Sequence, residues 1–390
     1  MATKLSRRSF LAAGQGLLAA AALATPSAVF AAAPGDRRLV VIILRGGLDG
    51  LDLLRPYGDP DWRRLRPTLS EGAAKTPLEL APGFALHPSL APLVPLWQAG
   101  DLAFAPAVAT PYRDQRSHFE GQDILEQGGR SAGERDDGWL NRALALIPGS
   151  GPQGYAVALA QGRMLVLSGA EPALFWSPDS DLRSAESASL LDQLYAEDPL
   201  FAQALTAARE ADGMGDALRQ SLSTRKATPK ATAQLAAEML KQEARIAALS
   251  LGGWDTHATQ AVRLERGLKR LGAAILGLRD SLGPDVWAKT TVVTMTEFGR
   301  TVAENGTRGT DHGTGAVTLL AGGALKGGRL YGRWPGLGEG NLYEGRDLRP
   351  TQDVRLYPAQ VLAEAFGATR SDLERTVFPG LSLSEAPAFL

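Results

Sequence analysis

The sequence predicts an α/β fold, a central and mostly parallel β-sheet flanked by helices. Three observations carry that prediction. Short, continuous, β-branched apolar runs read as strands buried on both faces. Segments with apolar residues at helical spacing separate them. Several of the runs end directly in glycine-rich turns that carry an acid or an imidazole, the place where open α/β sheets bind ligands.

The elements follow in order. Ser6-Arg7-Arg8-Ser9-Phe10-Leu11 opens the chain, and an apolar run from Leu11 to Ala24 follows it. That run is shorter than the roughly 18 residues a spanning helix needs. With the small residues Ala31 to Ala33 behind it, it reads as a twin-arginine signal peptide over residues 1–33. The expected partner is the twin-arginine translocation machinery, which carries folded proteins, and the expected location is periplasmic or secreted. Residues 34–390 form one domain. Leu39 to Leu44 is its first strand, ending at Arg45-Gly46-Gly47-Leu48-Asp49-Gly50. Residues 55–85 are irregular and proline-rich. His87 to Trp97 reads as a short helix and Leu102 to Val108 as a second strand. Tyr155–Leu159 and Met164–Leu167 are short apolar runs expected to be strands. A helical insertion covers about 175–245. Ala244 to Leu251 is a strand running into Gly252-Gly253-Trp254-Asp255-Thr256-His257, before a long amphipathic helix over Gln260 to Leu282. Lys289 to Thr296 is a strand ending at Glu297, Ala316 to Ala321 another, and Pro358 to Phe366 a late helix.

Composition narrows the chemistry. The 41 basic and 42 acidic residues leave a net charge of −1, so nothing points to nucleic acid. The apolar share of 44% suits a globular domain, and no second long apolar segment offers a stable membrane span in the mature protein. Cysteine is absent, so disulfides and thiolate metal sites are excluded. A metal must then be held by carboxylate, imidazole, hydroxyl or backbone oxygen.

The histidines number four, His87, His118, His257 and His312. Asp49, Asp255, Glu297 and Asp311 lie at expected strand ends or in the loops beside them. Hard oxygens with imidazole suit Zn²⁺ or Mn²⁺. Asp255 and His257, two apart, can approach one ion from a turn, and Asp311 with His312 makes a second acid–imidazole pair. Each member has a plainer reading. Asp255 suits a helix N-cap, Asp311 a turn, and Glu297 an ion pair with Arg300. His87, before Pro88, reads as structural.

The motifs Arg45-Gly-Gly-Leu-Asp-Gly50, Arg116-Ser-His-Phe-Glu120, Gly253-Trp-Asp-Thr-His257, Thr296-Glu-Phe-Gly-Arg-Thr301 and Gly309-Thr-Asp-His-Gly313 resemble those of the DUF1501 family of exported bacterial proteins, over nearly the whole mature chain. The resemblance implies an alkaline phosphatase-like fold, shared with sulfatases and phosphoglycerate mutases, and a site for one or two divalent ions. It implies Asp49 as ligand of one metal and Asp255 with His257 as ligands of the other. It implies Ser117 as the hydroxyl nucleophile at a helix start, Glu297 in place of the superfamily's Asp, and His312 as the final ligand. Phe298 stands where that superfamily has an imidazole, which leaves His118 or Asp311 to compensate. In a second alignment Asp311-His312-Gly313 takes the place of the superfamily's Asp-His-Gly.

The expected function is a metal-dependent hydrolase of phosphate or sulfate esters, its substrate a small-molecule or glycan ester. Ser117 attacks phosphorus or sulfur, and Arg45, Arg116 or Arg300 stabilises the oxygens. Ser117 also reads as a helix N-cap, and Arg45 and Arg300 as surface charges. Two other classes stand beside this one. They are a non-catalytic periplasmic binding or assembly protein on the same fold, and a metal-dependent transferase or isomerase.

Overall fold

The structure is a computed structural model that describes residues 36–71, 77–113, 116–147, 156–159, 164–176, 228–242 and 244–390. The signal segment and most of the expected helical insertion lie outside the described residues. The main sheet is built from β1 (Arg38–Arg45), β2 (Leu102–Ala109), β3 (Ala156–Leu159), β4 (Leu174–Trp176), β5 (Ile246–Gly252), β6 (Thr290–Met295), β7 (Ala316–Ala321), β8 (Arg329–Leu330) and β9 (Gln352–Asp353). Their order is β8-β2-β7-β6-β1-β5-β3-β4, with β9 also paired to β2. β1 pairs in parallel with both β5 and β6, as do β3 with β4 and β5. Only β7 is reversed, antiparallel to β2 and to β6. The mostly parallel sheet is therefore as the apolar runs predicted.

β1 shows why such a run becomes a central strand. Its side chains alternate, and both faces are covered. Leu39, Val41 and Ile43 pack on one face with Leu125, Trp139, Leu140, Tyr357 and Leu362. Val40, Ile42 and Leu44 pack on the other with Leu264, Leu268, Leu271, Ile275 and Leu278. The first layer comes from the helices His118–Gln127, Trp139–Leu144 and Leu356–Phe366, the second chiefly from Gln260–Trp287. Each fully buried aliphatic chain contributes about 1.5–3 kcal/mol, so a strand covered twice has no polar face to spare.

Three local readings change. Met164–Leu167 is not a strand: Leu165–Leu167 is a single 3₁₀ turn. The N–H of Val166 donates to the buried Glu126 carboxylate (3.0 Å) and that of Ser168 to Leu165 (2.9 Å), so the segment closes on itself instead of joining the sheet. His87–Trp97 divides into a 3₁₀ helix, Pro88–Leu93, and an α-helix, Val94–Ala99. Pro92 and Pro95 lack the N–H that a continuous helix needs there. Residues 55–85 hold two short helices and most of a three-stranded antiparallel sheet, Leu54–Arg55, Phe84–Leu86 and Leu78–Ala81. The long helix Gln260–Trp287 breaks at Gly283, whose φ is 72°. That is the last residue before Pro284, and the straight part matches the expected Gln260–Leu282.

Two predictions follow from this packing. Leu271→Ala, at a fully buried position, should lower the unfolding free energy by about 2–5 kcal/mol in a denaturant titration. A loss below about 1 kcal/mol would show that the face is not packed as described. The second concerns His87, which is buried and accepts the Ser89 N–H through Nδ1 at 3.0 Å. Burial pushes its pKa down to about 4. The unfolded chain takes up that proton near 6.5, so stability falls as pH drops from about 6.5 to about 4, by roughly 3 kcal/mol in all. His87→Asn keeps a capping acceptor and should flatten this part of the stability–pH curve.

Candidate metal centre

Because β1, β2, β5 and β6 run in one direction, their carboxyl ends share one edge of the sheet, and the start of the reversed β7 lies at that edge too. The loops after β1 (46–49), β2 (110–113 and 116–117), β5 (253–259) and β6 (296–301), with the 310–315 loop before β7, meet there. Their close approach depends on glycine. At Gly46, φ is 119° and a Cβ would lie 2.6 Å from the Asp255 nitrogen. A Cβ on Gly299 would lie 1.8 Å from the Gly315 oxygen.

Three of the four histidines converge on Asp255. His257 Nε2 is 3.1 Å and His312 Nε2 3.3 Å from Asp255 Oδ1, and the two ring nitrogens are 2.9 Å apart. His118 Nε2 is 3.5 Å from Asp255 Oδ2 and, though buried, has no hydrogen-bond partner. The ligand atoms of His118, Asp255 and His312 all lie within 4.8 Å of one another. His257 extends the group through its contacts with Asp255 and His312.

The opposite edge of each ring fixes its tautomer. His118 Nδ1 donates to Glu297 Oε1 (2.8 Å), His257 Nδ1 to Asp311 Oδ1 (2.9 Å) and His312 Nδ1 to the Arg116 carbonyl (2.8 Å). These partners only accept, so each Nδ1 carries a proton, and a ring with no second proton turns an Nε2 lone pair inward. Lone pairs of two rings at 2.9 Å repel unless a proton or a cation lies between them. Zn²⁺ with ligands at about 2.0–2.1 Å has neighbouring ligand atoms about 3.3 Å apart, close to the 3.1–3.5 Å separations between the Asp255 oxygens and the three Nε2 atoms. A carboxylate or carbonyl behind each imidazole is also the usual support of a metal-bound histidine. Zn²⁺ suits this nitrogen-rich set better than Mn²⁺, which prefers oxygen.

Electrostatics follow the same pattern. Burial pushes the Glu297 carboxyl up, but hydrogen bonds from His118, Gln122 and the Gly46 N–H outweigh it and hold it below its ordinary value. Burial likewise opposes ionisation of Asp255, and the Arg300 guanidinium, 2.5 Å away, more than offsets it. The hydrogen bond from His257 lowers Asp311. The Glu297 bond raises His118, whereas burial lowers His312.

The other expected site residues are placed differently. Asp49 is buried outside the group. Its carboxylate accepts from Arg66 (2.7 Å), Gln260 (2.5 Å) and the Leu51 N–H (3.0 Å). Glu297 stands behind His118, where it orients the ring. Asp311 stands behind His257 and is itself held by Asn305 (3.1 Å). Ser117 is the N-cap of His118–Gln127, its Oγ accepting from the Glu120 N–H at 3.5 Å. Arg45 bonds Ser250 and Gln122 and pairs with Glu126 at 2.5 Å. Arg300 is buried, donating to the carbonyls of Gly46, Gly47, Trp254 and Thr310 as well as to Asp255. Phe298 is a buried floor, its ring 5.0 Å from that of His118 and 4.9 Å from that of His312. Sequence reasoning missed Gln122, Asn305 and the Arg116 carbonyl, which carry no motif signal of their own.

Glu297→Gln should lower the His118 pKa in the metal-free protein, read by NMR titration of the imidazoles. An unmoved His118 would mean that Glu297 does not hold its proton.

Residues 36–369 match the model of the family described as protein of unknown function (DUF1501), and the chain belongs to that family. No curated protein matches the sequence. Among solved structures, the chain is similar to Ps i-CgsB in complex with k-i-k-neocarrahexaose (TM-score 0.41, 11% identity, covering 85% of this chain and 72% of that one). It is also similar to an alkaline phosphatase from the Antarctic bacterium TAB5 (TM-score 0.38, 11% identity, 74% and 92%). A third is the lipoteichoic acid synthase LtaP from Listeria monocytogenes (TM-score 0.33, 10% identity, 68% and 57%).

Proposed function

We propose, from membership of the DUF1501 family and from the geometry above, that this chain is an exported metal-dependent hydrolase of phosphate or sulfate esters. One observation carries the reading. Three imidazoles with fixed tautomers aim their Nε2 atoms at one carboxylate, an arrangement that a divalent cation, Zn²⁺ or Mn²⁺, satisfies. The ligands are His118, Asp255 and His312, with His257 beside them against Asp255 and His312. Export rests on the twin-arginine segment, residues 6–11. Among the described residues no helix is long and apolar enough to cross a membrane.

When bound, the cation supplies Lewis acidity toward an ester oxygen and a lowered pKa for a nucleophile beside it. The chain's own residues do the rest. Arg300 holds the Asp255 carboxylate in place, and Glu297, Asp311 and the Arg116 carbonyl hold the rings. Phe298 and Tyr112 close the floor against water, while the Asp255–His257 side, about half exposed, is open to substrate. Ser117 lies between Arg116, whose carbonyl holds His312, and His118. Its hydroxyl is the candidate nucleophile: attack on phosphorus or sulfur forms a seryl ester and expels the alcohol, and water then cleaves that ester to regenerate the hydroxyl.

The non-catalytic binding or assembly reading draws on a different observation. Ser117 Oγ caps a helix, and Arg45 and Arg300 are already committed to protein partners.

Metal analysis of protein from the periplasm, with assays on aryl phosphate and aryl sulfate esters, decides between the two. The hydrolase reading expects about one ion per chain, lost in Asp255→Ala and His312→Ala together with at least about a hundredfold of the activity. Ser117→Ala should lose activity but keep the ion. A wild type that takes up no metal after reconstitution sinks the metal reading and leaves the binding protein.

A further inference from the structure

Behind the centre lies a buried polar side chain that touches none of the candidate ligands. Gln260 is the first residue of the long helix and is wholly buried, as are Thr256 and Thr310. The Thr256 hydroxyl donates to Gln260 Oε1 at 2.9 Å, and the Thr310 hydroxyl donates to the same oxygen at 2.6 Å. At the other end of the amide, Nε2 donates to Asp49 Oδ2 at 2.5 Å. This orientation is forced. A carboxylate only accepts, so the NH₂ end faces Asp49, and the amide oxygen is left to the two hydroxyls, each of which spends its one proton there. Arg66 Nη1 holds the same Asp49 oxygen at 2.7 Å, and its other nitrogens donate to the Val302 and Thr301 carbonyls, both at 2.8 Å.

The two threonines sit beside the ligands. Thr256 stands between Asp255 and His257, and Thr310 directly precedes Asp311 and His312. Thr256 is turned into the core with 0% exposure, whereas its neighbours Asp255 and His257 are 45% and 46% exposed at the centre. The two loops also touch through the Thr310 N–H, which donates to the Thr256 carbonyl at 3.2 Å. Arg300 meets the same loops through the Trp254 and Thr310 carbonyls. Gln260 meets them through side chains, one residue from Asp255 and two from His312.

The local backbone is bent to permit this. Thr259, just before Gln260, has a φ of 49°, in the left-handed region that a β-branched residue avoids, and it gives the helix no side-chain cap. Threonine is otherwise a favoured cap. Strain of this kind persists where the surroundings impose it. Here the three hydrogen bonds of the Gln260 side chain, with its N–H donating to the Arg308 carbonyl at 2.9 Å, supply those surroundings.

We infer that Gln260 is a positioning residue of the metal centre, its amide setting the loop that carries Asp255 against the loop that carries His312, with Asp49 as its anchor. This rests on the metal-dependent reading above and deepens it.

The test is Zn²⁺ affinity, by competition with a chromophoric chelator, together with the visible spectrum of the Co²⁺-loaded protein. Gln260→Met keeps the length of the side chain and loses its hydrogen bonds. It should weaken Zn²⁺ by about tenfold to a hundredfold, the usual effect of removing support from metal ligands, and shift the Co²⁺ bands. Thr256→Val and Thr310→Val each remove one hydroxyl at nearly constant size, and they keep the test open if Gln260→Met does not fold. Each should weaken Zn²⁺ by about threefold to tenfold, the worth of one neutral hydrogen bond. Thr256→Ser and Thr310→Ser keep the hydroxyl and should restore affinity and spectrum. A further readout needs no metal. The His257 and His312 rings, with centroids 4.7 Å apart, should give a ring-to-ring nuclear Overhauser contact in the metal-free wild type and the serine variants that weakens in the valine variants. Valine variants that melt at lower temperature but keep wild-type Zn²⁺ affinity, Co²⁺ spectrum and ring contact overturn the inference, because the amide then supports the fold alone. Serine variants as weak as the valine ones overturn it too. If the wild type takes up no Zn²⁺, the metal-dependent reading fails, and the ring contact decides this inference by itself.

Discussion

The buried guanidinium of Arg300 is the contact on which the strand-end loops depend. It donates to the carbonyls of Gly46 and Gly47 after β1, of Trp254 after β5 and of Thr310 before β7, and it holds Asp255 Oδ1. Each of those carbonyls sits where a loop leaves regular structure and has no ladder partner of its own. A buried cation is costly unless it is fully paired, and buried carbonyls are costly unless they have a donor. One side chain meets both demands, so the loops can approach closely enough to present Asp255 and His312 to the same point. That closeness also explains the glycines at positions 46 and 299, where any Cβ would strike backbone.

Around this hub every deeply buried carboxylate has a designated counter-charge or donor. Asp49 has Arg66 and Gln260, Glu126 has Arg45, and Glu297 has His118 with Gln122. Asp255 and Asp311, both about half exposed, make the remaining acid contacts to the histidines. The division follows from desolvation. A carboxylate out of contact with water must be satisfied by the protein itself, which removes it from chemistry. One at the rim keeps a lone pair for a ligand or an imidazole.

Much of the fold is legible in the sequence for a simple reason. Leu39–Leu44 is apolar without interruption, Lys289–Thr296 is β-branched through its Thr and Val residues, and Ala316–Ala321 is apolar but for Thr318, and such runs fit a strand covered on both faces. Met164–Leu167 looked alike but is a 3₁₀ turn, because a distant carboxylate, Glu126, supplies its acceptor. Four residues carry no period long enough to show that. Of the candidate centre, the acids and imidazoles in glycine-rich strand ends were legible, though each also has a plainer use as a cap, a turn residue or an ion-pair partner. The split between residues that meet at the centre and those that stand behind it was not. Glu297 and Asp311 have the chemistry of ligands, and only three-dimensional placement shows them on the far edges of His118 and His257. Asp49 is hidden for the same reason: nothing in its own motif reveals Arg66, seventeen positions later, as the partner of its carboxylate.

Phe298 illustrates how one side chain changes the character of such a centre. A histidine there would add a fourth ring nitrogen; a phenyl ring adds none and stacks beneath His118 and His312 instead. The rings then have an apolar floor with Tyr112 behind it, and Ile124 completes a small cluster. A dry floor strengthens every hydrogen bond that orients the imidazoles, because water cannot compete for Nδ1. It also confines access to the face where Asp255 and His257 are exposed. The phenyl ring thus adds rigidity and direction: the imidazoles are held from behind, and the group meets solvent on the face where Asp255 and His257 are exposed.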